Sequence, residues 1–145
     1  MRQSLNFKKE GGRLGAERKM MNEELIYATL GEDGFTRLTV GFYRRVREDD
    51  LIGPMYPNHD WSGAEERLRD FFLFRFGADQ RYLEKRGHPR LRGRHMPLQI
   101  GEAEAERWVK LMGESADEVV ADEGIRAQIM EFFGQVADFL RNQPG

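Results

Sequence analysis

The chain has three histidines, and these are the first residues to consider for metal or acid–base chemistry. They are His59, His88 and His95. No His-Glu-x-x-His or Glu-x-x-His spacing occurs, so zincin and ferritin-like di-iron sites lack their signatures. His59 and His88 stand in polar turn segments, which predicts solvated side chains for both. Only His95 has a sequence context that calls for a separate interpretation.

His95 stands where a charged segment meets an apolar one, after the basic run 90–94 and before Met96 and Pro97. A lone histidine in such a place is more often a hydrogen-bonded core residue than a ligand. A haem ligand is the alternative, since a neutral imidazole gives one nitrogen to iron while its N–H donates to a backbone carbonyl. In a short helix the carbonyl of Leu91 is the natural acceptor. Position alone leaves both interpretations open.

A basic cluster surrounds this histidine and is opposed in its own segment by Glu84 alone. Its members are Arg81, Lys85, Arg86, Arg90, Arg92 and Arg94. The first interpretation is a solvated loop, the second a contact to a phosphate backbone, and the third a clamp for two carboxylates, which the guanidinium fork fits. The formal charge of −2 gives no support for a nucleic-acid surface, and we expect no nucleic-acid partner.

Three aromatic residues with polar tips are further candidates: Tyr43, Tyr56 and Trp108. They belong to a large aromatic complement of 10 Phe, 4 Tyr and 2 Trp in 145 residues. The simpler interpretation is that all three are core residues whose polar tips find backbone partners. Around one apolar cavity, the same three would form a hydrogen-bonding pocket for a small ligand.

Composition limits the remaining possibilities. A length of 145 residues fits one domain, and the absence of Cys excludes disulfides, thiolate metal sites and a cysteine nucleophile. The absence of Cys is also consistent with a cytoplasmic location. No apolar run approaches the roughly 20 residues of a membrane span, and the first 20 residues lack the apolar stretch of a signal peptide. We therefore expect no membrane partner.

The elements that must position these residues are helices. The glycine-rich, charged segment 1–20 predicts a disordered tail, with Met20 or Met21 as a candidate start and residues 21–145 as the folded domain. A short helix is predicted over 22–30, ending at Gly31, and a second over 34–47. In the second helix apolar residues recur at helical spacing: Phe35, Leu38, Phe42 and Val46.

Ser62 and Glu65 match a capping box, which predicts a helix start there and an end at Gly77. One face of this helix carries Ala64, Leu68, Phe71 and Phe72. Pro89 and Pro97 bracket a short helix that includes His95. Two longer helices are predicted over 102–120 and 123–141, so the fold class is all-α with an irregular middle.

The chain resembles the group II, or O-type, truncated haemoglobins from about Met21 to Arg141. The segments that carry the resemblance are Phe42-Tyr43-x-x-Val46, Tyr56-Pro57, Gly63-Ala64-Glu65-Glu66-Arg67-Leu68, Tyr82-x-x-x-Arg86-Gly87-His88-Pro89-Arg90-Leu91-Arg92-x-Arg94-His95-x-Pro97 and Glu106-Arg107-Trp108 with Met112. The long block that ends in Arg94-His95 is highly specific. The resemblance implies a truncated globin fold, a two-over-two helical sandwich around haem b.

The resemblance also implies roles for individual residues. His95 is then the axial iron ligand, and the distal side, where a small ligand binds, is formed by Tyr43, Tyr56, Ala64, Leu68 and Trp108. Residues in contact with haem are Arg67, Phe71, Tyr82 and Arg94, with Arg67, Tyr82 and Arg94 at positions that meet the propionates. For Arg67 and Arg94 the carboxylate clamp becomes the first interpretation.

The implied ligand is O2, with NO, CO or peroxide as alternatives and an unidentified reductase as partner. Because Ala64 cannot donate a hydrogen bond, the donors to O2 must be Tyr43, Tyr56 and Trp108, which predicts slow O2 release. Slow release suits NO dioxygenation or redox defence better than O2 delivery. Two alternatives stay open: simple O2 delivery, and a helical protein-interaction module with no functional haem.

Overall fold

The computed structural model describes residues 5–56, 60–77 and 99–143, with side chains from Glu23 onward. These ranges contain four α-helices and one 3₁₀ turn, and no strand, which confirms the predicted all-α class. The elements are α1 (Leu5–Val46), the 3₁₀ turn (Gly53–Met55), α2 (Trp61–Gly77), α3 (Glu102–Val119) and α4 (Glu123–Phe139). The short helix predicted between Pro89 and Pro97 lies outside the described residues.

Helix α1 contains a kink at Gly31, where the sequence predicts a break between two helices. Gly31 has φ 64° and ψ −177°, a left-handed φ that glycine adopts without steric cost. The helix begins at Leu5, so much of the segment expected to be a disordered tail has a helical backbone. The division between a tail and a globin domain at residue 20 stays a prediction.

The second half of α1 packs against α2 through stacked aromatic rings. The ring of Phe35 lies 5.5 Å from that of Phe72 and 5.8 Å from that of Phe76, centre to centre. Helix α2 ends at Gly77, as predicted, and a Cβ at this position would stand 2.6 Å from Cε1 of Tyr27. The glycine therefore allows the end of α2 to approach α1 closely.

The start of α2 differs from the prediction. The capping residue is Asp60 and not Ser62, because the Asp60 carboxylate accepts a hydrogen bond from the Gly63 N–H at 3.1 Å. A carboxylate is a stronger acceptor than a hydroxyl and also favours the positive end of the helix. Gly63 makes the approach possible, since a Cβ there would clash with the Asp60 carboxylate. The capping box at Ser62 and Glu65 was thus placed two residues too late.

Helices α3 and α4 begin at the predicted residues and end one and two residues early. The buried residues of α3 include Trp108, Leu111, Met112 and Ser115, and those of α4 include Ile125, Ile129 and Phe133. The Asp122 side chain caps α4 by accepting from the Ile125 N–H at 2.9 Å.

Helices α1 and α3 cross where Gly41 meets Ser115. A Cβ at Gly41 would lie 2.5 Å from the Ser115 hydroxyl oxygen, which itself donates to the Leu38 carbonyl at 2.8 Å. This close crossing fixes α3 relative to the part of α1 that carries Tyr43. Among the described helices, none combines the length and the apolar character needed to cross a membrane.

Candidate functional site

Three polar-tipped aromatic side chains meet in the core. The Trp108 indole N–H donates to the Tyr56 hydroxyl at 3.1 Å. Tyr43 and Tyr56 each shift the pKa of the other, and their rings lie 5.6 Å apart at nearly a right angle. We call Tyr43, Tyr56 and Trp108 the donor cluster.

The donor cluster is assembled from three separate elements. Tyr43 lies on α1 and Trp108 on α3, and both are buried. Tyr56 follows the 3₁₀ turn directly, and its N–H donates to the Gly53 carbonyl at 3.2 Å. The cluster therefore depends on how the segment after α1 is held against α3.

The hydrogen bond within the donor cluster leaves the tyrosine hydroxyl protons for a ligand. An indole N–H only donates, whereas each tyrosine hydroxyl has one proton and two lone pairs. Tyr56 accepts from Trp108, and this bond uses no tyrosine proton. A tyrosine hydroxyl of the cluster is therefore able to donate a hydrogen bond to a bound ligand.

Both tyrosines keep their protons at neutral pH. Burial raises the pKa of Tyr43 well above its ordinary value, and the neighbouring Tyr56 raises it further. Burial also raises the pKa of Tyr56, against the lowering effect of the neighbouring Tyr43 and of the hydrogen bond from Trp108. The two hydroxyls are therefore neutral hydrogen-bond donors over the physiological range.

The other predicted site residues that the structure describes lie on helix α2. Ala64 and Phe71 are buried, and Leu68 packs half-buried against the same core. Phe71 lies 6.2 Å from Phe132 of α4, ring centre to ring centre. These side chains offer apolar surface without a hydrogen-bond donor.

Arg67 lies on the same helix, with a side chain that is 47% exposed. Its guanidinium Nη1 lies 3.8 Å from Asp60 Oδ2. Its charge also lowers the pKa of both tyrosines of the cluster, which places it near their hydroxyls. Arg67 thus combines exposure to solvent with closeness to the site, as a contact to a ligand carboxylate requires.

Trp61, which was not among the predicted site residues, also packs beside the donor cluster. Its ring lies 5.5 Å from that of Tyr56 and 6.4 Å from that of Tyr43. Trp61 is the first residue of α2, so no earlier residue of the helix forms an apolar repeat with it. Its closeness to Tyr56 along the chain was the indication that the sequence offered.

An ion pair between Asp49 and Arg107 was also missed. Arg107 Nη1 lies 2.5 Å from Asp49 Oδ1, and Asp49 Oδ2 accepts from the N–H groups of Leu51 and Ile52 at 3.0 and 2.9 Å. Burial alone would raise the pKa of Asp49, but the hydrogen bonds from Ile52, Arg107 and Leu51 outweigh it and lower that pKa. An aspartate just ahead of a segment with Gly53 and Pro54 suggests a local cap, whereas nothing in the sequence links it to Arg107.

The other predicted residues lie outside the described part of the chain. These are the candidate iron ligand His95, the haem contacts Tyr82 and Arg94, and the turn histidines His59 and His88. Within the described ranges no group of three or more His, Asp or Glu side chains is arranged to hold a metal ion.

The described residues fit the distal side of a haem. A flat apolar macrocycle needs an apolar wall, which Ala64, Leu68 and Phe71 supply. A small polar ligand needs a donor, which a tyrosine hydroxyl of the donor cluster would supply.

Most of this chain resembles known proteins in sequence. Residues 25–142 match the family model described as a bacterial-like globin. The two-on-two hemoglobin-3 of Arabidopsis thaliana is 32% identical over 86% of this chain and 73% of its own length. A group 2 truncated hemoglobin of Bacillus subtilis is also 32% identical, over 76% of this chain and 80% of its own length.

Solved structures extend the likeness to the fold. A thermostable hemoglobin from the actinobacterium Thermobifida fusca is 40% identical and aligns with a TM-score of 0.78 over 83% of this chain and 98% of its own. The group II truncated hemoglobin from Bacillus anthracis is 27% identical and also has a TM-score of 0.78, over 83% of this chain and 92% of its own. The predicted two-over-two helical architecture is therefore that of its structural neighbours.

Proposed function

Because this chain belongs to the bacterial-like globins, and among them to the group II truncated haemoglobins, we propose that it binds haem b through His95 and holds O2 with slow release. Proteins of this family bind a diatomic ligand such as O2 through haem. The identity of the haem, the release rate and the physiological role are the finer parts of the proposal.

The donor cluster is the observation that supports slow release. When bound, haem supplies an iron atom that binds O2 and shifts electron density onto it. A tyrosine hydroxyl of the donor cluster would donate a hydrogen bond to this partly negative ligand. The donors stand in place before the ligand arrives, so little reorganisation is needed to stabilise it.

The size of the effect follows from ordinary hydrogen-bond energetics. A hydrogen bond to a charged partner is worth about 1.5–3 kcal/mol. Each 1.36 kcal/mol changes a rate about tenfold, so losing one good donor is expected to speed O2 release by roughly ten- to a hundredfold. Because the three side chains form one network, losses of two donors are expected not to add.

Slow release favours chemistry on O2 over its delivery. NO, O2 and one electron together give nitrate, NO3⁻, so a turnover needs a reductase that supplies one electron. A protein that retains O2 gives NO time to react with it, whereas a delivery protein must release O2. We therefore favour NO dioxygenation or redox defence as the role, with peroxide and CO as further possible ligands.

Holding the haem is proposed to involve four residues besides His95. Phe71 supports the macrocycle, and Arg67, Tyr82 and Arg94 pair with the propionates. Of these three polar residues, the structure describes Arg67. Its guanidinium pairs weakly with Asp60 at 3.8 Å, so it can exchange that carboxylate for a propionate.

The role is tested by mixing the O2-loaded protein with NO. We expect one nitrate per haem in a single turnover, formed faster than O2 leaves the native protein. If NO reacts only at the rate of O2 dissociation, the dioxygenation role is wrong and O2 delivery becomes the better proposal.

A helical interaction module without haem is the alternative from a different class. Hemin titration separates the two, because a haem protein binds one hemin per chain and develops a sharp absorption band. A chain that stays colourless with hemin added would defeat the haem proposal, including the assignment of His95.

A further inference from the structure

The described part of the segment between α1 and α2, residues 47–56, carries Tyr56 and contains one short 3₁₀ turn. Its shape depends on Asp49, whose Oδ2 accepts from the N–H groups of Leu51 and Ile52 and whose carbonyl accepts from the Gly53 N–H at 3.1 Å. Gly53 is in turn the acceptor for the Tyr56 N–H. Asp49 thus begins a chain of bonds that ends at Tyr56.

The same carboxylate leaves its second oxygen for a residue of α3. Arg107 Nη1 lies 2.5 Å from Asp49 Oδ1, and Arg107 immediately precedes Trp108. The Asp49 side chain is only 10% exposed and that of Arg107 is 34% exposed. A carboxylate buried to this degree needs a compensating charge, so the pair is expected to hold its geometry better than a surface pair does.

Asp50 offers a contrast at the next position. Its carboxylate lies 3.7 Å from Arg107 Nη1, but its side chain is 99% exposed. A solvated carboxylate at this distance restrains its partner little. The restraint between the segment and α3 therefore lies with Asp49.

We propose that the ion pair between Asp49 and Arg107 positions the donor cluster, holding the segment 47–56 against α3 so that the Trp108 indole reaches the Tyr56 hydroxyl. Asp49 and Arg107 are positioning residues, since neither belongs to the donor cluster itself. The prediction for O2 release rests on the function proposed above. The prediction for the hydrogen bond between Trp108 and Tyr56 does not.

Two substitutions break the pair while sparing the rest. Asp49→Asn keeps a side-chain carbonyl oxygen for the Leu51 and Ile52 N–H groups but removes the charge that attracts Arg107. Arg107→Met keeps an aliphatic stem and removes the guanidinium. Asp50→Asn is the matched control, because it makes the same chemical change one residue away on the exposed partner.

The first measurement is the hydrogen exchange of the Trp108 indole N–H, followed by NMR in the full chain with and without hemin. We expect Asp49→Asn and Arg107→Met to speed exchange at least tenfold and Asp50→Asn to leave it unchanged. Because this readout needs no ligand, it still tests the positioning role if the protein proves not to bind haem.

The second measurement is O2 dissociation, together with the C–O stretching frequency of the CO-loaded protein, which reports hydrogen bonds to the ligand. We expect roughly tenfold faster release in Asp49→Asn and in Arg107→Met, with the double variant no faster than either. A stretching frequency that moves towards that of Trp108→Phe would show that the donor has been displaced.

Native exchange and native release in both folded variants would overturn the proposal. Arg107→Lys covers the case in which the stronger variants fail to fold, since it keeps the charge and loses the fork geometry. Its indole exchange is expected to lie between native and Arg107→Met values, and a native value would also count against the positioning role. Fast O2 release from the native protein, with slow indole exchange, would instead reject the proposed function alone.

Discussion

The hydroxyl of Tyr56 is the side-chain atom on which the account of the site depends most. It accepts from Trp108, lies beside Tyr43 and follows the segment that Asp49 holds. A group with one proton and two lone pairs can accept from Trp108 and keep its own proton for a ligand. Small displacements of this one oxygen are therefore expected to change ligand binding.

Residue types and a specific motif predicted Tyr43, Tyr56 and Trp108, and the structure brings them together. The same reasoning missed Trp61, Asp49 and Arg107. Trp61 is the first residue of its helix and has no periodic partner, and Arg107 lies 58 positions from Asp49 in the chain. Contacts of this kind depend on how helices cross, which a single sequence does not encode locally.

The assignment of His95 gives the first residue-scale prediction. His95→Ala is expected to abolish stable haem binding, with partial recovery when imidazole is added, because no other side chain is proposed to reach the iron. Hemin titration with absorption spectra measures this. His88→Ala is the matched control and is expected to bind hemin normally. Loss of haem in His88→Ala, with normal spectra in His95→Ala, would reverse the assignment.

At the scale of elements, helices were predicted more accurately than their caps. The predicted starts of α3 and α4 were correct, and Gly31 marked the kink of α1. The start of α2 was misplaced because Ser62 matches a capping pattern, whereas Asp60 supplies the stronger acceptor. A cap is chosen among competing polar residues by local geometry, and a pattern of residue types does not rank them.

The crossing of α1 and α3 gives a prediction about stability. Gly41→Ala places a Cβ 2.5 Å from the Ser115 hydroxyl oxygen and 3.4 Å from Arg45 Nη1, and is expected to destabilise the fold by about 1–3 kcal/mol. Ser115→Ala alone removes the hydrogen bond to Leu38 and is expected to destabilise it by about 1 kcal/mol. Urea unfolding of each haem-loaded variant measures both effects.

The double variant Gly41→Ala/Ser115→Ala tests whether contact with the Ser115 hydroxyl causes the loss of stability. Without the Ser115 hydroxyl the new methyl group has room, so the double variant is expected to lose less stability than the two single variants together. Strict additivity would mean that the cost of Gly41→Ala does not come from this contact.

At the scale of the whole molecule, the pH dependence of stability follows from Asp49. A folded-state pKa below the ordinary 3.8 means that ionised Asp49 stabilises the fold above that value and that this stabilisation is lost as the pH falls through the folded-state pKa. Asp49→Asn is therefore expected to be less stable than the native chain at pH 7. The difference should shrink as the pH falls below about 4.

Denaturant unfolding at several pH values, from 7 downward, measures this difference directly. Other groups titrate in both proteins and cancel in the comparison. A difference that stays constant through pH 3 would show that the charge of Asp49 contributes nothing to stability.

The role of the first 20 residues is also a question about the whole molecule. A chain that begins at Met21 is expected to keep the native absorption spectrum and thermal midpoint. The contacts of the first described side chains are retained in it, including the ion pair between Glu23 and Arg75 at 2.8 Å and the packing of Tyr27 on Gly77. A large fall in the thermal midpoint would show that residues 1–20 are part of the folded domain.

Stopped-flow measurement of O2 dissociation shows whether the donor cluster retains O2. We expect slow release from the native protein and release faster by roughly ten- to a hundredfold in Tyr56→Phe and Trp108→Phe, with Tyr43→Phe also faster. Tyr27→Phe is the matched control, since Tyr27 stacks on Phe35 outside the cluster, and should release O2 at the native rate. Native release as fast as that of the cluster variants would contradict the account and favour O2 delivery.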